Sequence, residues 1–125
     1  MASNTYSFEM NQGSDYTIPI RLQDSTGTVI NLTGYSARMQ VRRTAGACAV
    51  IDELSSEGAE ARITIEAEGG RLSLRFPHSV TETYPAASLV YDVEITAPSG
   101  DITRILQGSI SISAEVTRDG CSCKA

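Results

Sequence analysis

The sequence predicts an all-β domain of sandwich type, and three observations carry that expectation. Apolar residues recur at every second position in run after run, the period of strands with one face buried and the other wet. Clusters of Gly, Pro, Asn, Asp and Ser separate those runs at roughly 8–12-residue intervals, the spacing of sandwiches, with a closed barrel as the second choice. The chain has 125 residues, 41% of them hydrophobic, which is enough for one core and too short for two comfortable domains. A single domain over residues 1–118 with a flexible tail at 119–125 is therefore expected.

Each element follows from its pattern. The first strand is read at residues 6–10, after which Asn11, Gln12, Gly13 and Ser14 turn the chain. Tyr16, Ile18, Ile20 and Leu22 then alternate with Thr17, Pro19, Arg21 and Gln23. Pro19 has no N–H for a ladder, so this strand belongs at an edge or carries a bulge. A turn at residues 24–27 leads to a short segment at 28–30, and Asn31 to Gly34 turns again. In the long run 35–43, Tyr35, Ala37, Met39 and Val41 are expected to face the core. Residues 44–48 read as a loop, and 49–54 as a brief strand that is ambiguous with a helical turn. Runs at 61–67 and 72–76 flank Gly69 and Gly70, whose tolerance of positive φ marks a hairpin.

Pro77 ends that strand. Ser79 followed by Glu82 has the form of a capping box, so one helical turn is expected near 79–84. Residues 89–96 and 102–106 form a hairpin about the turn at 98–101, and Gly108 marks a bend or bulge before a last strand at 110–116. The total is roughly eight or nine strands with one helical turn. Val93 should point inward and Glu94 outward, so Val93→Asp should unfold the domain while Glu94→Lys should be nearly silent.

The formal charge of −5 opposes a phosphate backbone, so nucleic acid is not an expected partner. No apolar run approaches the roughly 20 residues that span a bilayer, and residues 1–4 lack the pattern of a secretion signal, which predicts cytosolic synthesis and no membrane. Three cysteines, Cys48, Cys121 and Cys123, do not make a secreted disulfide framework. Free thiols are the expectation, because a Cys-Ser-Cys pair is too closely spaced for an ordinary structural zinc site. His78 is the only histidine, at a strand end beside Pro77, and reads as a satisfied turn residue. Asp15, Asp24, Asp52, Asp92 and Asp101 are scattered among turns and strand faces, with no calcium-loop spacing, and read as solvated charges. Gly69-Gly70-Arg71 lacks both the phosphate-loop pattern and a following helix. No catalytic set, cofactor site or metal site is predicted, and the chain is expected not to be an enzyme.

Two features stand out from the scaffold. Arg38, Gln40 and Arg42 alternate on the face opposite Ala37, Met39 and Val41, giving a partly basic stripe on an acidic protein. Solvent exposure explains such a stripe, since one face of an antiparallel sheet is commonly wet. The sharper reading is a docking face for an acidic surface, where the planar guanidinium pairs with carboxylates. Tyr91, in the most apolar strand, is expected to pack in the core with its hydroxyl hydrogen-bonded.

Certain strings resemble a known set: Leu32-Thr33-Gly34-Tyr35-Ser36-Ala37-Arg38-Met39-Gln40-Val41-Arg42, Tyr91-Asp92-Val93-Glu94-Ile95, Gly100-Asp101-Ile102-Thr103-Arg104-Ile105-Leu106-Gln107-Gly108, and Glu115-Val116-Thr117-Arg118. They look like small virion proteins of tailed bacteriophages over nearly the whole chain. More loosely, the chain is similar to the N-terminal immunoglobulin-like domain of phage upper baseplate proteins. The resemblance implies an immunoglobulin-like antiparallel β-sandwich with a structural role in the virion, at the tail, baseplate or fibre attachment. Its partners would be other virion proteins, and its own copies in a ring or trimer. Baseplate proteins of that kind continue into a long region bearing the receptor-binding protein, whereas this sequence stops at Ala125, which favours an accessory subunit over an adaptor. A capsid decoration protein is the alternative. A carbohydrate-binding module is the third reading, weakened by the lack of Trp and by tyrosines that mostly read inward.

Overall fold

In the computed structural model, which describes residues 4–23, 26–59, 61–114 and 116, the alternating runs pair into two sheets. The strands are β1 (Asn4–Thr5), β2 (Phe8–Asn11), β3 (Tyr16–Arg21), β4 (Ser36–Arg42), β5 (Asp52–Ser55), β6 (Ile63–Glu66), β7 (Arg71–Phe76), β8 (Ser88–Thr96) and β9 (Ile102–Ser113), with the short helix α1 (His78–Thr81) between β7 and β8. The six-stranded sheet runs β1-β9-β8-β4-β5 with β2 also on β9, and the three-stranded sheet runs β3-β7-β6. The all-β, sandwich-like architecture is as expected.

One cluster of buried side chains joins the two sheets, drawing Met39, Val41, Leu89 and Val93 from the larger and Ile63, Leu72, Leu74 and Phe76 from the smaller. Each such side chain contributes roughly 1.5–3 kcal/mol by leaving water. Ala37, Met39 and Val41 are buried as the alternation requires, and Tyr35 packs partly buried at the cluster's margin. Val93 is fully buried. β3, with Pro19, lies at the edge of the smaller sheet. The Tyr91 hydroxyl donates to the Tyr6 carbonyl at 2.5 Å.

Several expectations need correction. The first strand is split at Tyr6 and Ser7: the Tyr6 N–H still donates to the Gln107 carbonyl of β9 at 2.8 Å, but the Tyr6 carbonyl serves Tyr91 and Ser7 Oγ accepts the Ser109 N–H at 3.2 Å. Both halves, β1 and β2, run parallel to β9, so the sandwich is not purely antiparallel. Residues 28–30 contribute only an isolated bridge, Gln23 to Val29. The strand expected at 49–54 starts later, at Asp52. The helix begins at His78 with Pro77 as its N-cap, so Ser79 lies inside it and is not the capping residue. Proline fits there because it has no N–H to satisfy.

β9 is continuous through Gly108, and the irregularity sits earlier. Val93 pairs with Leu106 and Glu94 with Arg104, leaving Ile105 as the extra residue of a bulge. Ile105 and Leu106 are consequently both buried, at 2% and 7% exposure. Gly108 has a different cause: a Cβ there would overlap the Tyr6 carbonyl oxygen. Gly70, at φ 60°, closes the β6–β7 turn where the backbone carbonyls of Leu22 and Ile30 approach within 3 Å of where a Cβ would stand. The turn at Asp24 and Ser25, the strand end at Glu115 and the tail with Cys121 and Cys123 lie outside the described residues.

Candidate interaction surface

The outward positions of β4 are Arg38, Gln40 and Arg42, and the flanking strands decide what they meet. In register, Gln40 stands opposite Glu53 of β5 on one side and Asp92 of β8 on the other, and Arg38 opposite Glu94. Arg38 Nε donates to Glu53 Oε2 at 2.5 Å, and Gln40 Nε2 donates to the same oxygen at 2.9 Å. These donors, Gln40 first and Arg38 second, hold the Glu53 carboxyl below the usual carboxylate range. Arg42 is anchored differently. Its Nη1 donates to the carbonyls of Ala47 and Cys48, and its Nη2 to Gln40 Oε1. The three residues are thus one hydrogen-bonded row, in which Gln40 connects the Arg38–Glu53 pair to Arg42.

Across β8 the row continues. Arg104 of β9 lies 3.4 Å from Asp92 and donates to Gln107 Oε1 at 3.0 Å. Gln40, Arg42, Asp92, Arg104 and Gln107 surround an open depression of about 410 Å³. Thr5, Ala45 and Val90 supply its less polar lining. Gln40 and Arg42 line this depression and Arg38 stands outside it, beside Glu53. Asp92 reads from sequence only as a solvated charge, and Arg104 and Gln107 carry no sequence signal of a site. The hairpin about residues 98–101 signals that their strands pair, but the bulge at Ile105 changes which β9 residues face outward.

A second polar group closes the side of the molecule where β5 meets β6. Arg62 donates to both carboxylate oxygens of Asp52, at 2.9 and 2.8 Å, and its Nε donates to the Arg75 carbonyl at 3.1 Å. Its guanidinium lies 5.9 Å from the Phe76 ring centre. The Tyr84 hydroxyl also donates to Asp52, at 2.5 Å. Burial and the neighbouring Asp52 carboxylate both push the Tyr84 hydroxyl up. Burial alone would lower Arg62, but the Asp52 carboxylate outweighs it and holds the guanidinium above its ordinary value. Asp52, expected as a solvated charge, is instead sequestered at 14% side-chain exposure.

Asp15 is also not a free surface charge. Its Oδ1 accepts the His78 backbone N–H at 2.6 Å, capping α1 from a remote loop, and lies 3.1 Å from His78 Nδ1. The backbone bond first, and the His78 side chain second, lower the Asp15 carboxyl. His78 is accordingly a satisfied residue at a helix start. Cys48 is an exposed free thiol. Among the described residues no group of three or more His, Cys, Asp or Glu side chains is placed to hold a metal ion, and no helix is long and apolar enough to cross a membrane.

No family model matches the chain, and no curated protein matches it in sequence.

Proposed function

We propose that this chain is a non-enzymatic structural subunit of a tailed-bacteriophage virion, held at the tail, baseplate or fibre attachment through the outer face of its larger sheet. The observation that supports a binding role is the row Arg38–Gln40–Arg42 with the adjoining depression. Its side chains are fixed by hydrogen bonds to one another and to backbone carbonyls, so little conformational entropy remains to be lost on docking. Arg42 carries the interaction. Its hydrogen bonds go to neutral carbonyls, so its charge stays available to a carboxylate of a neighbouring subunit. The virion setting rests on the resemblance of the strings beginning at Leu32, Tyr91 and Gly100 to phage structural proteins.

Immunogold labelling of purified particles tests the setting directly. Label confined to the tail or its tip is the expected result. Label over the head would replace it with a capsid decoration role, and unlabelled intact particles would overturn the virion reading. Particles assembled with Arg42→Glu should carry less of the protein than wild type, and equal incorporation would remove this face from the contact.

A further inference from the structure

The smaller sheet presents a second face, on the side of the sandwich away from Arg42, with a feature that folding stability does not require. Arg21 of β3 and Arg71 of β7 stand directly opposite each other in register, and both are exposed. Directly opposed like charges weaken a strand pair. Arg75 lies four residues further along β7 on the same face, about 13 Å away at a strand rise of roughly 3.3–3.4 Å per residue. Glu66 is 3.6 Å from Arg71 and Asp15 is 3.6 Å from Arg75, while Arg21 forms no ion pair among the described residues. Between the Arg21–Arg71 pair and Arg75 stand Pro19 and Ser73, and Thr17, opposite Arg75, accepts a hydrogen bond from its Nη1 at 3.3 Å; all three are short and uncharged. Three arginines against the two carboxylates of Glu66 and Asp15 leave this platform with a net positive excess of one, carried by Arg21, on a chain whose formal charge is −5.

We propose that this face docks a carboxylate-rich segment of a partner protein, with Arg21 and Arg71 together gripping one acidic group and Arg75 a second. Guanidinium forks match carboxylates in shape and charge, and a bound carboxylate between Arg21 and Arg71 relieves the repulsion that the empty face bears. A polyanionic nucleic acid is the poorer fit, because the remaining surface of this acidic chain repels it along its length. Together with the Arg42 face, the platform makes the domain a bridge with a different partner on each side of the sandwich.

Fluorescence anisotropy with a fluorescein-labelled peptide of alternating glutamate and threonine tests the platform, since an extended strand of that pattern presents all its carboxylates on one face. Saturable binding that weakens with added salt is expected. The double variant Arg21→Glu/Arg71→Glu should raise Kd by about tenfold or more, whereas Arg38→Glu, on the opposite sheet, should leave it within about twofold. The single variant Arg21→Glu replaces the opposed like charges by an attractive pair, so it should melt at or above the wild-type temperature and still lose affinity. Absence of peptide binding at low salt would overturn the proposal. So would equal binding by the double variant, or tighter binding of a labelled DNA duplex than of the peptide.

Discussion

Glu53 concentrates the chemistry of the larger sheet's outer face in one oxygen atom, which accepts both Gln40 Nε2 and Arg38 Nε. Because the carboxylate form is the one these donors stabilise, its folded-state pKa lies below its unfolded value. The associated stability is present above the unfolded carboxylate pKa and is lost as pH falls through the folded one. Arg38 and Glu53 are well exposed, so the energy is small and the titration midpoint is the better readout. Gln40→Ala should move the Glu53 midpoint up toward the ordinary carboxylate range in a carboxyl NMR titration. An unmoved midpoint would mean that the glutamine bond does not persist in solution. Tyr91 shows the opposite influence: burial pushes its hydroxyl up to about 12, and it stays a donor to Tyr6 throughout the pH range of that titration.

β9 shows how one inserted residue sets which side chains face outward over a whole strand. The extra residue at Ile105 lets Arg104 and Gln107 share the outer face although they are three positions apart, and it is what brings both to the depression. The strand then passes beneath the Tyr6 carbonyl at Gly108, where only a missing Cβ leaves room. Gly108→Ala should therefore cost about 1–3 kcal/mol or more, through forced displacement of β1 from β9. Gly46→Ala, where a Cβ would meet nothing within 4 Å, should leave the melting temperature near wild type. Equal effects would show that Tyr6 does not cross Gly108. The bend or bulge read at Gly108 is not there; the glycine answers to the Tyr6 carbonyl, and a backbone crossing from 102 residues away leaves no local pattern. The adjacent Ile105 and Leu106 did break strict alternation, which was the true sign of the bulge. Alternation made the faces of β4 and β8 readable because both strands are covered on one side only. It failed at Asp52 and Asp15, whose partners Arg62, Tyr84 and His78 are brought to them by the tertiary fold.

The two sheets share an apolar core, but between β5 and β6 they are also joined by the Asp52–Arg62–Tyr84 group, which reaches from the larger sheet to the Arg75 carbonyl of the smaller one. Gln12 extends the same connection, its Nε2 donating to the Tyr84 carbonyl at 2.7 Å. In the bridging role proposed above, load would pass through the contacts between the sheets, and this group is a polar part of those contacts. Its members are unequal. Tyr84→Phe removes one hydrogen bond to a charged acceptor and should lower stability by about 1.5–3 kcal/mol. Asp52→Ala should cost more, because it strands the Arg62 guanidinium, 19% exposed, without its carboxylate. Urea unfolding separates the cases: both variants should shift the midpoint down without changing the slope, Asp52→Ala further than Tyr84→Phe. A smaller loss for Asp52→Ala than for Tyr84→Phe would mean that Arg62 finds water once its partner is gone, and that the apolar core alone holds the sheets together on that side.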